Sequence, residues 1–534
     1  MRAKSEKRRV ITETVLAAAG AICAIAIGAP AIAKPNLPSP TVQTADGPVT
    51  GTVTDTIGTF LGIPYAAPPA GSLRWMPPQP PTPWTTPLDA TQFGSECPQE
   101  GGSTDEDCLF LNVYVPTKAL EHARSHRYPV MFWVHGGGYT TGAGGYEDPT
   151  RLVTMGNVIV VTINYRLGAL GFLAHPALSA ESPYGGSGNY GIMDQQFAMQ
   201  WVQQNIAAFG GNPKNVTIFG ESAGGNSMFV NLVSPTAAGL FRRMIIESGS
   251  YEPVLPTLSG AEAAGMTFAG DVGCGDQTAA CLRSVPVQTL LNNQPVIGIL
   301  LGLVLTPNID GYVLPESIGT ALAGGDFNRV PVIDGTNHDE FRGYVALLFD
   351  LIGGPITTAE YPSVVGTLAG VIVGGNGPAI LAEYPSADYP SPDLALGTWV
   401  TDYLFSCHAL QADDSMVKFT QTRACEFADE NAPVNGMPPV SFPYGAYHSA
   451  ELQYLFGATP NPAFTSDQVE LSDRMISYWT RFAKNGNPGE GWKPLSRTGD
   501  GFFESLVPPV PRRETVSAFS ADHNCSFWQS LPAD

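Results

Sequence analysis

A chain of 534 residues with 48 acidic side chains against 27 basic ones carries a formal charge of −21. Such a surface repels nucleic acid and anionic lipid headgroups and excludes both as electrostatic partners. The length suits one large domain or two ordinary ones, and no mature segment reads as a membrane span, because 295–305 is too short and 345–375 is broken by glycine, proline and polar residues.

Residues 1–10 hold Arg2, Lys4, Lys7, Arg8 and Arg9, and an alanine-rich apolar run follows to Ala31-Ile32-Ala33. A basic start, an apolar stretch and a small-residue site describe a secretory signal peptide, residues 1–33, cleaved after Ala33, with an uncleaved anchor as the alternative. The remainder, 34–534, reads as a single large domain, secreted or held in the cell envelope. Whether Arg8-Arg9 marks twin-arginine export is left open. Cysteines stand at 23, 97, 108, 274, 281, 407, 425 and 525. The first departs with the leader, so seven remain in an exported chain, where disulfides and one leftover thiol are expected. Spacing alone fixes no pairing. With no C-x-x-C pair or clustered His/Cys set, the expectation is no metal site.

Stretch 51–60 is β-prone and reads as twisted antiparallel strands. Three apolar runs, 109–115, 129–134 and 157–164, read as strands bounded by turn residues. The second ends in His135-Gly136-Gly137-Gly138-Tyr139. Successive glycines after a buried strand let backbone N–H groups converge on one point, the construction of an oxyanion site; a merely flexible loop is the alternative. Gly186-Ser187-Gly188-Asn189-Tyr190-Gly191 has the spacing of a dinucleotide fingerprint. It follows Pro183-Tyr184-Gly185 rather than a strand, so the motif is set aside. Ala198, Trp201, Val202 and Ile206 then share one face of a helix, which Phe209-Gly210-Gly211-Asn212-Pro213 ends.

The next strand, 216–219, runs into Gly220-Glu221-Ser222-Ala223-Gly224-Gly225 and a helix-compatible stretch, 226–233. This is the form of a nucleophile elbow, a turn so tight that glycine must flank the serine on both sides. With 59 glycines in the chain the bare pattern is weak, and its context decides. Runs 243–247 and 330–335 continue the strand series. Strands alternating with helices predict an α/β fold, a central mostly parallel sheet with helices on both faces. Reactive groups belong at the carboxyl ends of its strands, where the serine and the glycine run stand.

These residues resemble the type-B carboxylesterase/cholinesterase family of α/β-hydrolases. One family signature is similar to Glu106-Asp107-Cys108-Leu109-Phe110-Leu111-Asn112-Val113-Tyr114-Val115-Pro116, and the other to the sixteen-residue stretch 209–224 around Ser222. Asn164-Tyr165-Arg166-Leu167-Gly168 and Asp194-Gln195-Gln196 fit the same pattern, and the likeness runs from about Asp46 to Trp528. The resemblance implies an α/β-hydrolase with large cap and pocket insertions, and a catalytic triad of Ser222, Glu340 and His448. It also implies an oxyanion hole of Gly137, Gly138 and Ala223, with no cofactor or metal. His448 is assigned from Tyr447-His448-Ser449-Ala450-Glu451-Leu452, and Glu340 from Gly335-Thr336-Asn337-His338-Asp339-Glu340, with Asp339 a neighbour. Phe341 and Ser449 stand where the family usually has glycine. His338, His408 and His523 take surface or structural positions. The carried-over disulfides are Cys97 with Cys108, Cys274 with Cys281, and Cys407 with Cys525, leaving Cys425 as a buried thiol in a strand-like 423–427.

The expected function is that of a secreted serine hydrolase cleaving apolar, uncharged small-molecule esters through an acyl-enzyme. Alternatives are a lipase or sterol esterase with a lid, or a catalytically silent binding or adhesion member. The loop between Cys97 and Cys108 contains no tryptophan to bind choline, which argues against a cholinesterase. Runs 295–305 and 345–373 stand where relatives build pocket walls, or are core. The natural ester, its chain length, the oligomeric state and lid motion are not fixed by the sequence.

Overall fold

The computed structural model describes residues 39–121, 127–249, 255–294, 305–457, 460–489, 491–496 and 500–531. Residues 1–33, expected to be a leader, and all of 295–305 except Leu305 lie outside the described residues. Among the described residues no helix is long and apolar enough to cross a membrane.

Among the described residues eleven strands form the main sheet. In chain order they are β1 (Thr52–Val53), β2 (Ile57–Pro64), β3 (Phe110–Pro116), β4 (Tyr128–Val134), β5 (Ile159–Ile163), β6 (Gly211–Glu221), β7 (Arg243–Glu247), β8 (Val332–Asn337), β9 (Thr422–Phe427), β10 (Phe502–Leu506) and β11 (Arg512–Thr515). Their spatial order is β1-β2-β3-β5-β4-β6-β7-β8-β9-β10-β11. Pairing is parallel from β5 through β10 and antiparallel at both edges. A small separate sheet joins Thr41–Gln43, Pro48–Thr50 and Leu88–Asp89.

Successive side chains of a strand point to opposite faces, and here they feed two cores. On β4, Val130, Phe132 and Val134 pack on one side with Trp201 and Val202 of α1 (Tyr190–Asn205) and with Phe229 and Leu232 of α2 (Ala223–Val233). Met131 and Trp133 face the other core, with Leu471, Met475 and Trp479 from the 20-residue helix Ser466–Asn485. Each such side chain, fully removed from water, contributes roughly 1.5–3 kcal/mol. A capping box between Thr465 and Gln468 starts that long helix, and Gly486, at φ 80°, ends it.

Local pairing shifts several expected boundaries. β6 begins at Gly211 because Tyr128 of β4 pairs with it, and β8 extends to Asn337 opposite Phe427. Asn157 is not in β5: at φ 48° it is the left-handed cap of the helix Thr150–Gly156. The apolar stretch 345–373 is largely helical, with Val345, Leu348, Val365 and Ala369 in the second core and Leu351, Ile352 and Val371 exposed. The structure closes Cys97–Cys108, Cys274–Cys281 and Cys407–Cys525. Cys425 is a buried free thiol on β9 whose burial, reinforced by neighbouring carboxylates such as Asp334, pushes it well above the usual thiol range, away from reactivity.

Candidate active site

β6, a central strand of the sheet, delivers Ser222 at its carboxyl end. Ser222 has φ 57° and ψ −121°, a conformation that L-residues avoid unless the surroundings impose it. The surroundings do so here: Ser222 N–H donates to the Glu247 carbonyl at 2.9 Å, and its own carbonyl accepts from Asn226 N–H at 2.8 Å. A Cβ on Gly224 would lie 2.1 Å from the Val134 carbonyl oxygen, and one on Gly220 would lie 2.7 Å from the same oxygen. Backbone crossing at the turn therefore dictates both glycines.

The loop after β4 closes against this turn, since a Cβ on Gly136 would come within 3.0 Å of the Ser222 Cβ. Gly137 and Gly138 take φ of 100° and 60°, and the Gly137 carbonyl accepts from Thr140 and Thr141 N–H at 3.0 Å each. With that carbonyl turned back into the loop, the N–H groups of Gly137, Gly138 and Ala223 have no acceptor among the described residues. Three unspent donors beside a strained serine can hold a developing negative charge.

Loops after β8 and β9 supply the remaining groups. Glu340 is wholly buried; its Oε1 accepts from Asn337 N–H at 2.8 Å and its Oε2 from His448 Nδ1 at 2.5 Å. Asp339 faces elsewhere, accepting from Ala446 N–H at 2.9 Å and pairing with Arg342 at 2.7 Å. Tyr344 and Phe405 flank the imidazole, with ring centroids 5.4 and 5.3 Å away. His448 Nε2 makes no hydrogen bond, although it lies 3.2 Å from Glu221 Oε1. That same oxygen accepts from the Ser449 hydroxyl at 2.5 Å. Ser449 sits at φ 68°, which explains why glycine suits this position. Burial disfavours the charged imidazole, but Glu221 and Glu340 outweigh it and hold His448 above its ordinary value.

Glu221 belongs to a buried set of carboxyls that also includes Glu247 and Glu451. Burial, and then the Glu221 charge, push Glu247 up to about 8. Burial and the charges of Glu221, Glu247 and Glu340 push Glu451 well up, while Asn337 Nδ2 donates to it at 2.5 Å. Sequence reasoning singled out none of these three, though Glu221 lies inside the serine turn and Glu451 three residues after His448. Tyr344 and Phe405 had no sequence signal at all. Near His448 in sequence, 430–445 lines a cavity of about 410 Å³ whose walls include Val434, Met437, Val440, Phe442 and Tyr444. Of the other histidines, His408 is half-buried and loss of solvation pushes it down to about 4, while His338 and His523 meet in a separate cluster.

A mostly parallel sheet with a serine turn at the end of a central strand, and a histidine–carboxylate pair on later loops, defines an α/β-hydrolase. The model of the Carboxylesterase family matches residues 38–528. Fumonisin B1 esterase from Sphingopyxis macrogoltabida is 34% identical over 503 residues, covering 88% of this chain and 87% of that protein. Para-nitrobenzyl esterase from Bacillus subtilis is 34% identical over 471 residues, covering 84% and 90%. A solved thermophilic PNB esterase superposes with a TM-score of 0.75 at 31% identity, covering 90% of this chain and 99% of that one. The chain belongs to the carboxylesterase family and is a carboxylic ester hydrolase.

Proposed function

We propose that the chain is a secreted serine carboxylesterase in which Ser222 is the nucleophile, His448 the general base and Glu340 the group that orients the imidazole. The observation that carries this reading is the 2.5 Å contact of Glu340 Oε2 with His448 Nδ1. It fixes the proton on Nδ1 and leaves Nε2 as the lone-pair nitrogen. As Ser222 Oγ attacks the ester carbonyl, its proton passes to Nε2, and the oxyanion accepts from Gly137, Gly138 and Ala223 N–H. Collapse breaks the bond to the alkoxy oxygen, which leaves with the proton from His448 as alcohol. Water then repeats the sequence on the acyl-enzyme and releases the acid. A serine–histidine hydrogen bond absent from a resting site is ordinary, because such bonds commonly tighten only in the complex.

The leader, 1–33, the three disulfides and the acidic composition support export of a mature domain, 34–534. Aromatic rings beside His448 and buried carboxyls behind Ser222 favour apolar, uncharged esters over anionic ones. Initial rates on p-nitrophenyl esters from acetate to palmitate test the assignment. Rates should peak at short or middle chain lengths; a jump on emulsified long-chain esters would turn the reading to a lipase, and silence on every ester would refute it.

The acid limb of the pH–rate profile should report His448, which must be neutral to accept the serine proton. Glu221 is the largest influence raising this imidazole. Glu221→Gln removes a negative charge that favours the imidazolium, so the acid limb of kcat/KM should move to lower pH. A limb unmoved by the substitution would mean that another group sets it.

A further inference from the structure

Two residues before Glu340, the end of β8 places His338 beside Glu426 of β9 and His523, which follows the helix Val516–Asp522. One ligand-capable atom from each of the three lies within 4.8 Å of the others. Glu426 and His523 are 97 residues apart in the chain, and His338 and Asp522 are 184 apart, so no short motif announces the cluster.

Both imidazoles are held alike. Asp402 Oδ1 lies 2.7 Å from Nδ1 of His523, and Asp339 Oδ1 lies 3.0 Å from Nδ1 of His338. Each Nε2 is thereby directed at a second carboxylate: Glu426 Oε1 at 2.6 Å for His523, and Asp522 Oδ2 at 3.3 Å for His338. An imidazole whose Nδ1–H is anchored on a carboxylate and whose Nε2 faces a further oxygen ligand is built as metal-binding histidines are. Four carboxylates, Asp339, Asp402, Glu426 and Asp522, converge here, and the guanidinium among them is Arg342, 2.7 Å from Asp339.

The cluster also has rigidity on one side and access on the other. Asp402, Glu426 and His523 are buried, and the Cys407–Cys525 disulfide ties down the chain two residues after His523. His338 and Asp522 keep 30% and 60% of their side-chain surface exposed, so an ion has an entry path. Ligands of a tetrahedral zinc stand about 3.3–3.6 Å from one another, given metal–ligand bonds of about 2.0–2.2 Å. His338 and Asp522 already stand 3.3 Å apart, whereas the buried His523–Glu426 contact of 2.6 Å must open to admit the ion.

We propose that His338, His523, Glu426 and Asp522 bind one first-row divalent cation, of which zinc best suits a four-coordinate set of imidazoles and carboxylates. Asp339 and Asp402 orient the imidazoles. The bound ion ties the loop carrying Glu340 to β9 and the C-terminal segment, and its first effect is on stability.

The test uses the full chain, stripped with EDTA, desalted and titrated with zinc chloride at neutral pH. Calorimetry should find one zinc per chain, the thermal midpoint should rise on loading, and cobalt chloride should give the visible absorption of a four-coordinate site. Glu426→Gln should abolish uptake. Asp522→Asn, at an exposed position that leaves the buried part intact, should weaken it roughly 10- to 100-fold, and decides the question alone if the first variant does not fold. No zinc uptake at millimolar concentration would overturn the site and leave an ion-pair network in its place. Undiminished uptake by Asp522→Asn would overturn it equally, by locating the metal elsewhere.

Discussion

Ser222→Ala is expected to lower kcat on p-nitrophenyl esters by roughly four to six orders of magnitude while the protein stays folded. The hydroxyl is the proposed attacking group, and the residual rate would be what three backbone donors and substrate binding supply without it. Preservation of the fold follows from what the side chain does in the resting structure. It caps no helical N–H, and Ser222 is bound to Glu247 and Asn226 through its backbone. Alanine at φ 57° bears the same backbone strain as serine and leaves no buried partner unpaired. Matching thermal midpoints and circular dichroism, with turnover gone, would fit the assignment. Activity within tenfold of the parent would refute it.

Glu340→Gln should cost about 10⁴-fold in kcat, far more than Asp339→Asn. The argument is one of donors and acceptors. Glu340 accepts twice, from Asn337 N–H and from His448 Nδ1. A glutamine has one oxygen and one NH₂ for these two positions. If its NH₂ faces His448, the imidazole must carry its proton on Nε2 and cannot accept one from serine. If its oxygen faces His448, the NH₂ meets the Asn337 N–H donor in a site closed to water. Asp339 holds His338, Arg342 and the Ala446 backbone, so Asp339→Asn should lower stability and change kcat by roughly tenfold at most. Comparison of kcat for the two purified variants checks the ranking, and the reverse order would assign the acid to Asp339.

Much of the fold was legible because its signals are local. The runs at 129–134 and 243–247 are strands since apolar residues there face cores on both sides of a parallel sheet, and 243–247 matched β7 to the residue. The serine turn was legible because Gly220 and Gly224 are demanded by backbone crossing that leaves no room for a Cβ. Other features had no local signature. Trp479 donates to Glu247 at 2.7 Å across 232 residues, and Glu221 meets Ser449 across 228. Such contacts depend on which loops the sheet order brings together. Tyr344 and Phe405 are ordinary aromatic residues in the sequence and become walls around His448 only when their helices pack.

By itself the sequence determined the alternation of strands and helices, the residue at the tip of the tight turn, the run of glycines beside it and the acidic balance of the surface. Each is set by steric demands within a few residues, or by composition. The likeness to the family implied Glu340 rather than Asp339; the tertiary structure alone decided that Glu221 stands 3.2 Å from the His448 imidazole and that two histidines and four carboxylates converge behind the Glu340 loop. Those outcomes belong to distances between remote segments, and chain connectivity does not encode distance until the sheet fixes the order of its strands.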